Sequence, residues 1–292
     1  MPSLKEIKGH IASVKSTKKI TSAMKMVASA KLRKAQYQIE QFLPYQLRLS
    51  NILNDFLSGY SEEEFSSVLS EVREVKRVAI VVLSSNSSLC GAFNSNMIRI
   101  LNETIQKYQG LKCELKVYAV GKKVESAVQK LTIPVEMQGG YTALMEKPAF
   151  DGAKEIADLL MNDFLAKKID RVDLIYNHFK SAGVQIPTSE QFLPVDLSKR
   201  TEGKAIPVDF LIEPDRITML ETLIPRSLRS KIFAMLLDSA AAEHAARVVA
   251  MQTATDNADE ILDDLTIQFN KQRQQSITSE LLDIVGGSEA LK

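Results

Sequence analysis

The sequence predicts an α/β protein with long helices. Its N- and C-terminal segments form an antiparallel two-helix coiled coil, and a Rossmann-like α/β domain of about five strands is inserted between them. Breaker placement is the first reason. Between His10 and Ser58 there is no glycine and a single proline, Pro44, and between Arg226 and Val285 there is neither. The remaining breakers lie at the extreme ends or between Gly59 and Pro225, so helical arms flank a globular middle. Length is the second reason. A helix over 226–285 would run about 90 Å at 1.5 Å per residue, against a diameter near ~50 Å for a compact globule of this size. Such a helix has to project, and its best partner is the N-terminal arm running antiparallel. The division expected is 1–58 for the first arm, 76–195 for the α/β domain and 210–290 for the second arm.

In the first arm, Ile7, Ile11, Val14, Lys18, Thr21, Lys25, Ala28, Leu32, Ala35, Ile39 and Phe42 keep the four-three alternation of a coiled-coil seam. The seam turns polar at Lys18, Thr21 and Lys25, where a shifted stripe of Ile20, Met24 and Val27 takes over. That stutter is expected to change the winding and aim apolar groups away from the partner helix.

In the middle, "RVAIVVLSS" (Arg77–Ser85) reads as a strand and "NSNMIRILNETIQKY" as a helix. Then come a strand "CELKVYAVG", a short helix "KKVESAVQKL" and a third strand "IPVEMQG". An amphipathic helix, "AFDGAKEIADLLMNDFLAKK", precedes strands "RVDLIYNHF" and "VQIPTSEQFLPV". Alternation of this kind implies a mostly parallel sheet covered on both faces. The second arm offers Leu228, Ile232 and Met235, a small-residue stretch "SAAAEHAA" that permits close approach, then Leu262, Leu265, Phe269, Ile277, Leu281 and Ile284.

Composition narrows the function. Of 292 residues 45% are hydrophobic, enough for a packed core, and the net charge is only +1. The cations are uneven: from Met1 to Ala35 nine Lys or Arg face the single acid Glu6, which calls for an acidic partner. Cys90 and Cys113 cannot make a disulfide framework or a four-ligand zinc site, and a reducing compartment is expected. "MPSLKEIKGHIASVK" breaks its apolar residues with lysines too often for a secretory h-region. The longest apolar run, Val78–Leu83, is too short to span a bilayer.

Candidates for chemistry are thin. "SSNSSLCGAFNSN" follows the first strand, where a doubly wound fold binds phosphate, but it carries only Gly91, and no G-x(4)-G-K-[ST] exists in the chain. A polar turn capping the following helix is the expectation, with Cys90 as a small buried hydrophobe. His10, His178 and His244 fall on separate elements without metal-ligand spacing, and Asp263 and Asp264 read as a solvated face. No nucleophile–base arrangement emerges, so neither catalysis by this chain nor a cofactor is expected. The basic arm suits a nucleic acid or an acidic protein surface. It has a single arginine, Arg33, and no aromatic ring but His10 from Met1 to Gln36, which favours the protein surface.

Four segments carry a family resemblance: "ITSAMKMVASAKLRKAQ", "LCGAFNSN", "AARVVAMQTATDNA" and "ITSELLDIVGG". In that order, over the whole chain, they resemble the γ subunits of F-type ATP synthases. The resemblance implies a non-catalytic rotor shaft inside a ring of three α and three β subunits, with its foot on the ε subunit and the c-ring. No nucleic acid is implied, and membrane association would come only through the c-ring. It places Met24 and Lys25 beside an acidic lever loop of β, with Lys18, Lys31 and Arg33 extending the basic track. It assigns Arg247, Gln274, Thr278 and Glu280 to inner loops of α and β, and Phe210, Ile212 and Glu213 to the c-ring and ε. Departures exist: Asn86–Ser88 replaces a charged run of many bacterial relatives. Gln191–Asp209 is short and lacks Cys, so the chloroplast redox insertion is absent. Without a transit peptide, the expected setting is the cytoplasmic face of a bacterial inner membrane.

Overall fold

The computed structural model describes residues 3–58, 68–131, 134–196 and 215–289. The elements are α1 (Leu4–Ser58), a short 3-10 turn (Val68–Ser70), β1 (Arg77–Leu83), α2 (Phe93–Gly110), β2 (Glu114–Val120), α3 (Lys122–Val128) and β3 (Glu136–Gln138). There follow α4 (Thr142–Glu146), α5 (Phe150–Leu165), β4 (Arg171–Ser181), β5 (Val184–Leu193) and α6 (Arg216–Glu289). The chain divides into two compact units, residues 29–247 and residues 1–28 with 248–292.

The larger unit is built on a five-stranded sheet of order β3-β2-β1-β4-β5. β1 pairs parallel with β2 and β4, β2 pairs parallel with β3, and β4 pairs antiparallel with β5. β1 is buried from Val78 to Leu83 because both its faces are covered, as its uninterrupted apolar run anticipates. Ala79, Val81 and Leu83 face α5 and the start of α6, meeting Ile156, Leu160, Phe164, Leu228 and Ile232. Val78, Ile80 and Val82 face α2 and α3, meeting Met97, Leu101, Ile105 and Val124. Each such Leu or Ile contributes about 1.5–3 kcal/mol by leaving water. β5 is antiparallel because only Ala182 and Gly183 separate it from β4, and a parallel crossover needs a dozen residues or more.

α6 starts ten residues earlier than the Gly and Pro pattern suggests, and it runs through Pro225. Proline removes one helical hydrogen bond, to the Glu221 carbonyl. Leu220, Ile224, Leu228 and Ile232, at successive four-residue steps, bury a full stripe against the sheet, and that packing outweighs the loss. Asp215 caps the helix, accepting from the Thr218 N–H at 3.0 Å. Also in this unit, Phe42 on α1 meets Phe233 on α6 edge-on at 4.9 Å, and the Arg226 Nε donates to the Tyr45 hydroxyl at 2.8 Å. As residue numbers rise on α1 they fall on α6, which makes the two helices antiparallel here.

The smaller unit is a pair of antiparallel helices. Lys18 forms an ion pair with Asp259, and Thr21 Oγ1 lies 2.8 Å from Thr255 Oγ1. Ile7, Thr21 and Ala28 are buried on α1, and Met251 and Ala258 on α6. The buried seam therefore continues through the polar position Thr21, while Ile20 and Val27, each 58% exposed, are turned away from the partner helix as the second stripe was expected to be. Thr21 can hold a buried seam position because its hydroxyl is satisfied across the interface. A capping box starts α1, with the Ser3 N–H donating to Glu6 Oε2 at 2.8 Å and the Glu6 N–H to Ser3 Oγ at 3.3 Å. The lone acid of the basic arm thus has a local task. At the other end, α6 remains helical through Gly286 and Gly287 to Glu289. No helix among the described residues is long and apolar enough to cross a membrane.

Candidate interaction surfaces and the loop after the first strand

The loop Ser84–Ala92 leaves the C-terminal end of β1 where the chain's crossovers change direction, with β2 on one side and β4 on the other. Leu89 and Gly91 adopt positive φ, 66° and 58°. The loop caps α3 and not the helix that follows it. Ser84 Oγ accepts the Val124 N–H at 2.8 Å, and Asn86 Oδ1 accepts the Lys122 N–H at 3.0 Å. The N-cap of α2, Ala92, has no side-chain cap. The expectation of a turn capping the next helix is thus corrected: Asn94 is drawn back to Ser85, at 3.0 Å from the Ser85 N–H. Such closeness requires glycine at Gly121, which has φ 112° and whose added Cβ would lie 2.0 Å from the Ser84 carbonyl oxygen.

α6 lies over this crevice. Cys90 and Phe93 pack on Ala242 and Ala246, the small-residue stretch that permits close approach. Arg247 Nη2 donates to Ser87 Oγ at 2.8 Å, and Nη1 donates to Glu243 Oε1 at 2.6 Å. Burial pushes the Glu243 carboxyl up against the opposing pull of Arg247. Next to it, His244 falls to about 4, through burial first and then through the Arg247 and Lys31 cations. Its Nδ1 is buried without a hydrogen-bond partner. Beside these contacts a cavity of about 830 Å³ stays open, lined among others by Asn86, Ser87, Lys122, Lys147, His244 and Arg247.

The other histidines stay apart. His10 is exposed on α1, and His178 Nδ1 lies 2.6 Å from Asp238 Oδ2. Asp263 and Asp264 are exposed.

The residues expected on the shaft's contact faces fall in several places. Met24 and Lys25 are half-buried on α1 in the smaller unit, where Lys18 is tied to Asp259. In the larger unit Lys31 and Arg33 are exposed, and Arg247 is committed to Glu243 and the β1 loop. Gln274, Thr278 and Glu280 are exposed on α6, where Thr278 Oγ1 donates back to the Gln274 carbonyl at 2.9 Å. Phe210, Ile212 and Glu213 lie outside the described residues. Sequence reasoning passed over Thr255, Asp259, Ser87 and Glu243. The four-three spacing of Met251, Thr255, Ala258, Leu262, Leu265 and Phe269 is the signal that could have found the first two. On α6 each of these six is at least partly buried, whereas Ile277–Val285 is exposed throughout, with Leu281 at 56% and Ile284 at 68%.

A long-helix pair joined to a doubly wound sheet defines a class, and the family model described as ATP synthase matches residues 3–291. The chain is 57% identical over 293 residues to the ATP synthase gamma chain of Azobacteroides pseudotrichonymphae, covering 100% of both. The chain belongs to the ATP synthase gamma chain family. Solved structures share the fold. One from the Euglena gracilis mitochondrial ATP synthase (OSCP/F1/c-ring, rotational state 3) has TM-score 0.63 at 20% identity, covering 99% of this chain and 94% of that one. Another, from the central stalk/c-ring of the Tetrahymena thermophila mitochondrial enzyme, has TM-score 0.60 at 24% identity, covering 80% and 99%.

Proposed function

We propose that this chain is the central rotor shaft of an F-type ATP synthase, turning with a c-ring and driving conformational change in catalytic β subunits. Chemistry belongs to β in this reading, and the chain itself is non-catalytic. The observation that carries it is the far end of α6. Ile277, Leu281, Leu282, Ile284 and Val285 are exposed beyond the seam, and a helix end that apolar calls for an enclosing sleeve. A ring of three α and three β subunits would supply one, and family membership supports that choice of partner.

On this reading residues 1–58 and 210–290 serve as the shaft and 76–195 as the domain at its foot. Met24, Lys25, Lys31 and Arg33 meet acidic loops of β, while Gln274, Thr278 and Glu280 meet inner loops of α and β. Lys18 and Arg247 reach those partners only by exchanging the bonds they already make. Phe210, Ile212 and Glu213 face the c-ring and ε. Contact with the membrane runs through the c-ring, at the cytoplasmic face of a bacterial inner membrane. The test is co-expression with the α, β and ε subunits of the same organism. A complex that hydrolyses ATP and turns a bead fixed to this chain is expected. Failure of the chain to co-purify with α and β would overturn the reading.

A further inference from the structure

The open cavity beside Arg247 adjoins a second one with a different lining. Asn86, Ser87 and Lys122 border both, and the second, about 640 Å³, continues along α3 past Lys123, Ser126 and Lys130. Among the described residues no carboxylate lines it, whereas Glu125, Glu146 and Glu243 line the first. Glu125 is the only acid of α3, so this helix sends its acid to one cavity and Lys123 to the other. Lys122, Ser126 and Lys130 stand at four-residue steps, on one side of α3 and its closing turn. Four residues on from Lys122 and Lys123 are Ser126 and Ala127, where a solvated helix gains from a glutamate. None of the three ammonium groups has a hydrogen-bond or ion-pair partner among the described residues. Three like charges around one hollow repel each other, and an anion bound between them relieves that repulsion.

The loop across the cavity spends its acceptors on the protein and keeps its donors. The carbonyls of Ser85, Ser87 and Ser88 accept from the Lys123 N–H at 3.1 Å, the Ser85 hydroxyl at 2.5 Å and Arg247 Nη2 at 3.3 Å. Across a trans peptide the N–H points opposite to the carbonyl. The Ser88 and Leu89 N–H groups therefore point away from those partners, and neither has an acceptor among the described residues. Asn86 is held as well, its Nδ2 donating to the Thr142 carbonyl at 2.8 Å. These ties keep Leu89 at its positive φ and hold the loop in one shape before any ligand arrives. The N–H groups that open α3 play no part, since Lys122, Lys123 and Val124 already donate to Asn86, Ser85 and Ser84. Both walls follow the carboxyl ends of parallel strands, β1 and β2, the end of an open α/β sheet at which ligands bind. The glycine signature of phosphate loops is absent, but free amides and cations converge without it.

We propose that this cavity binds a diphosphate group, either free as pyrophosphate or carried by a nucleoside diphosphate. Lys122 and Lys130 lie about 12 Å apart at helical rise, a span that suits two linked phosphates better than one. Ile98 and Ala127 add an apolar edge against which a nucleoside can lie. The assignment does not rest on the shaft reading above. Calorimetry on the full chain, at about 0.15 M salt and without magnesium, takes inorganic phosphate, pyrophosphate and adenosine diphosphate as probes. Pyrophosphate should saturate one site per chain and bind about tenfold or more tighter than phosphate. Lys123→Gln with Lys130→Gln should weaken it about tenfold or more. Lys154→Gln with Lys180→Gln removes the same charge from exposed positions elsewhere and should change it less than about twofold. In amide NMR spectra pyrophosphate should move the Ser88 and Leu89 resonances saturably. Adenosine diphosphate binding no tighter than pyrophosphate assigns the site to the diphosphate alone. Tighter binding that Ile98→Ala removes assigns it to a nucleoside diphosphate. Absence of saturable binding by both diphosphates would overturn the proposal, as would equal weakening by the two double variants or unmoved loop amides. Displacement of pyrophosphate by an equal concentration of a hexaglutamate peptide would also overturn it, by making the surface a dock for acidic protein.

Discussion

His244 lies on α6 between Glu243 and Arg247, with the Lys31 cation also acting on it and its Nδ1 buried without a partner. Its folded pKa of about 4 is below the ordinary 6.5, so the unfolded chain takes up the proton first on acidification. Stability from the neutral ring is therefore complete above pH 6.5 and is lost as pH falls from 6.5 towards 4. Glu243 acts in the opposite sense: burial raises its pKa and favours the protonated carboxyl in the fold, so its contribution to stability falls as pH rises above the ordinary 4.5. Comparison with His244→Gln isolates the imidazole. The variant should gain on the wild type as pH drops from 7 to 4.5, by about 2 kcal/mol in urea unfolding. Parallel pH profiles for the two proteins would show that the ring is not buried neutral. Gly121 makes a second residue-scale case, because a Cβ there meets the Ser84 backbone and φ is positive. Gly121→Ala should cost about 3 kcal/mol or more, whereas Gly91→Ala, with open space around its Cβ, bears only the positive-φ strain of about 1 kcal/mol. Equal midpoints for the two variants would contradict this.

Among the elements, α6 changes character along its length. Up to Met235 it is a layer of the α/β core; from Met251 to Phe269 it is one half of a helix pair; from Ile277 to Val285 every residue is exposed. Amide exchange in the isolated chain should follow that order, with 277–285 exchanging fastest. Leu281→Ser with Ile284→Ser should leave the unfolding midpoint within about 0.5 kcal/mol of wild type, since surface changes seldom exceed that. Strong protection of 277–285 in the free chain would refute it. The arms were legible in the sequence because a four-three apolar rhythm without breakers has few other solutions. The start of α6 was not, because Pro225 reads as a boundary and only packing by Leu220 and Ile224 reveals otherwise. The short α4 escaped for lack of length, and the capping of α3 by Ser84 and Asn86 joins residues about forty apart that no local pattern relates. Of the candidate contact residues, exposure could be guessed for Gln274, Thr278 and Glu280. The internal engagement of Lys18 and Arg247 could not, since their partners Asp259 and Ser87 lie far away in sequence.

For the molecule as a whole, charge distribution says more than net charge. Nine cations against one acid open the chain, and between Asp256 and Asp264 stand five carboxylates and no cation. Part of the acidic partner that the N-terminal arm demands is therefore this chain's own C-terminal helix, through Lys18 and Asp259. Lys25, Lys31 and Arg33 have no hydrogen-bond or ion-pair partner among the described residues. Cations without a partner, two of them exposed and Lys25 half-buried, contribute little to a fold, and neutralising them removes about the 0–1 kcal/mol typical of surface charge interactions. Lys25→Gln, Lys31→Gln and Arg33→Gln together should thus leave the unfolding midpoint and the yield of assembled complex near wild type. ATP synthesis driven by an imposed proton gradient should fall several-fold, because an acidic loop of β would lose three attractive charges at once. Raised salt should reproduce part of that loss in the wild type and little in the triple variant, since screening at 1 M shortens the reach of charge to about 3 Å. Lys18→Gln is the internal comparison: its effect should appear in stability before it appears in coupling. A triple variant that synthesises ATP at the wild-type rate, with the same salt response, would show that the basic track meets no acidic loop.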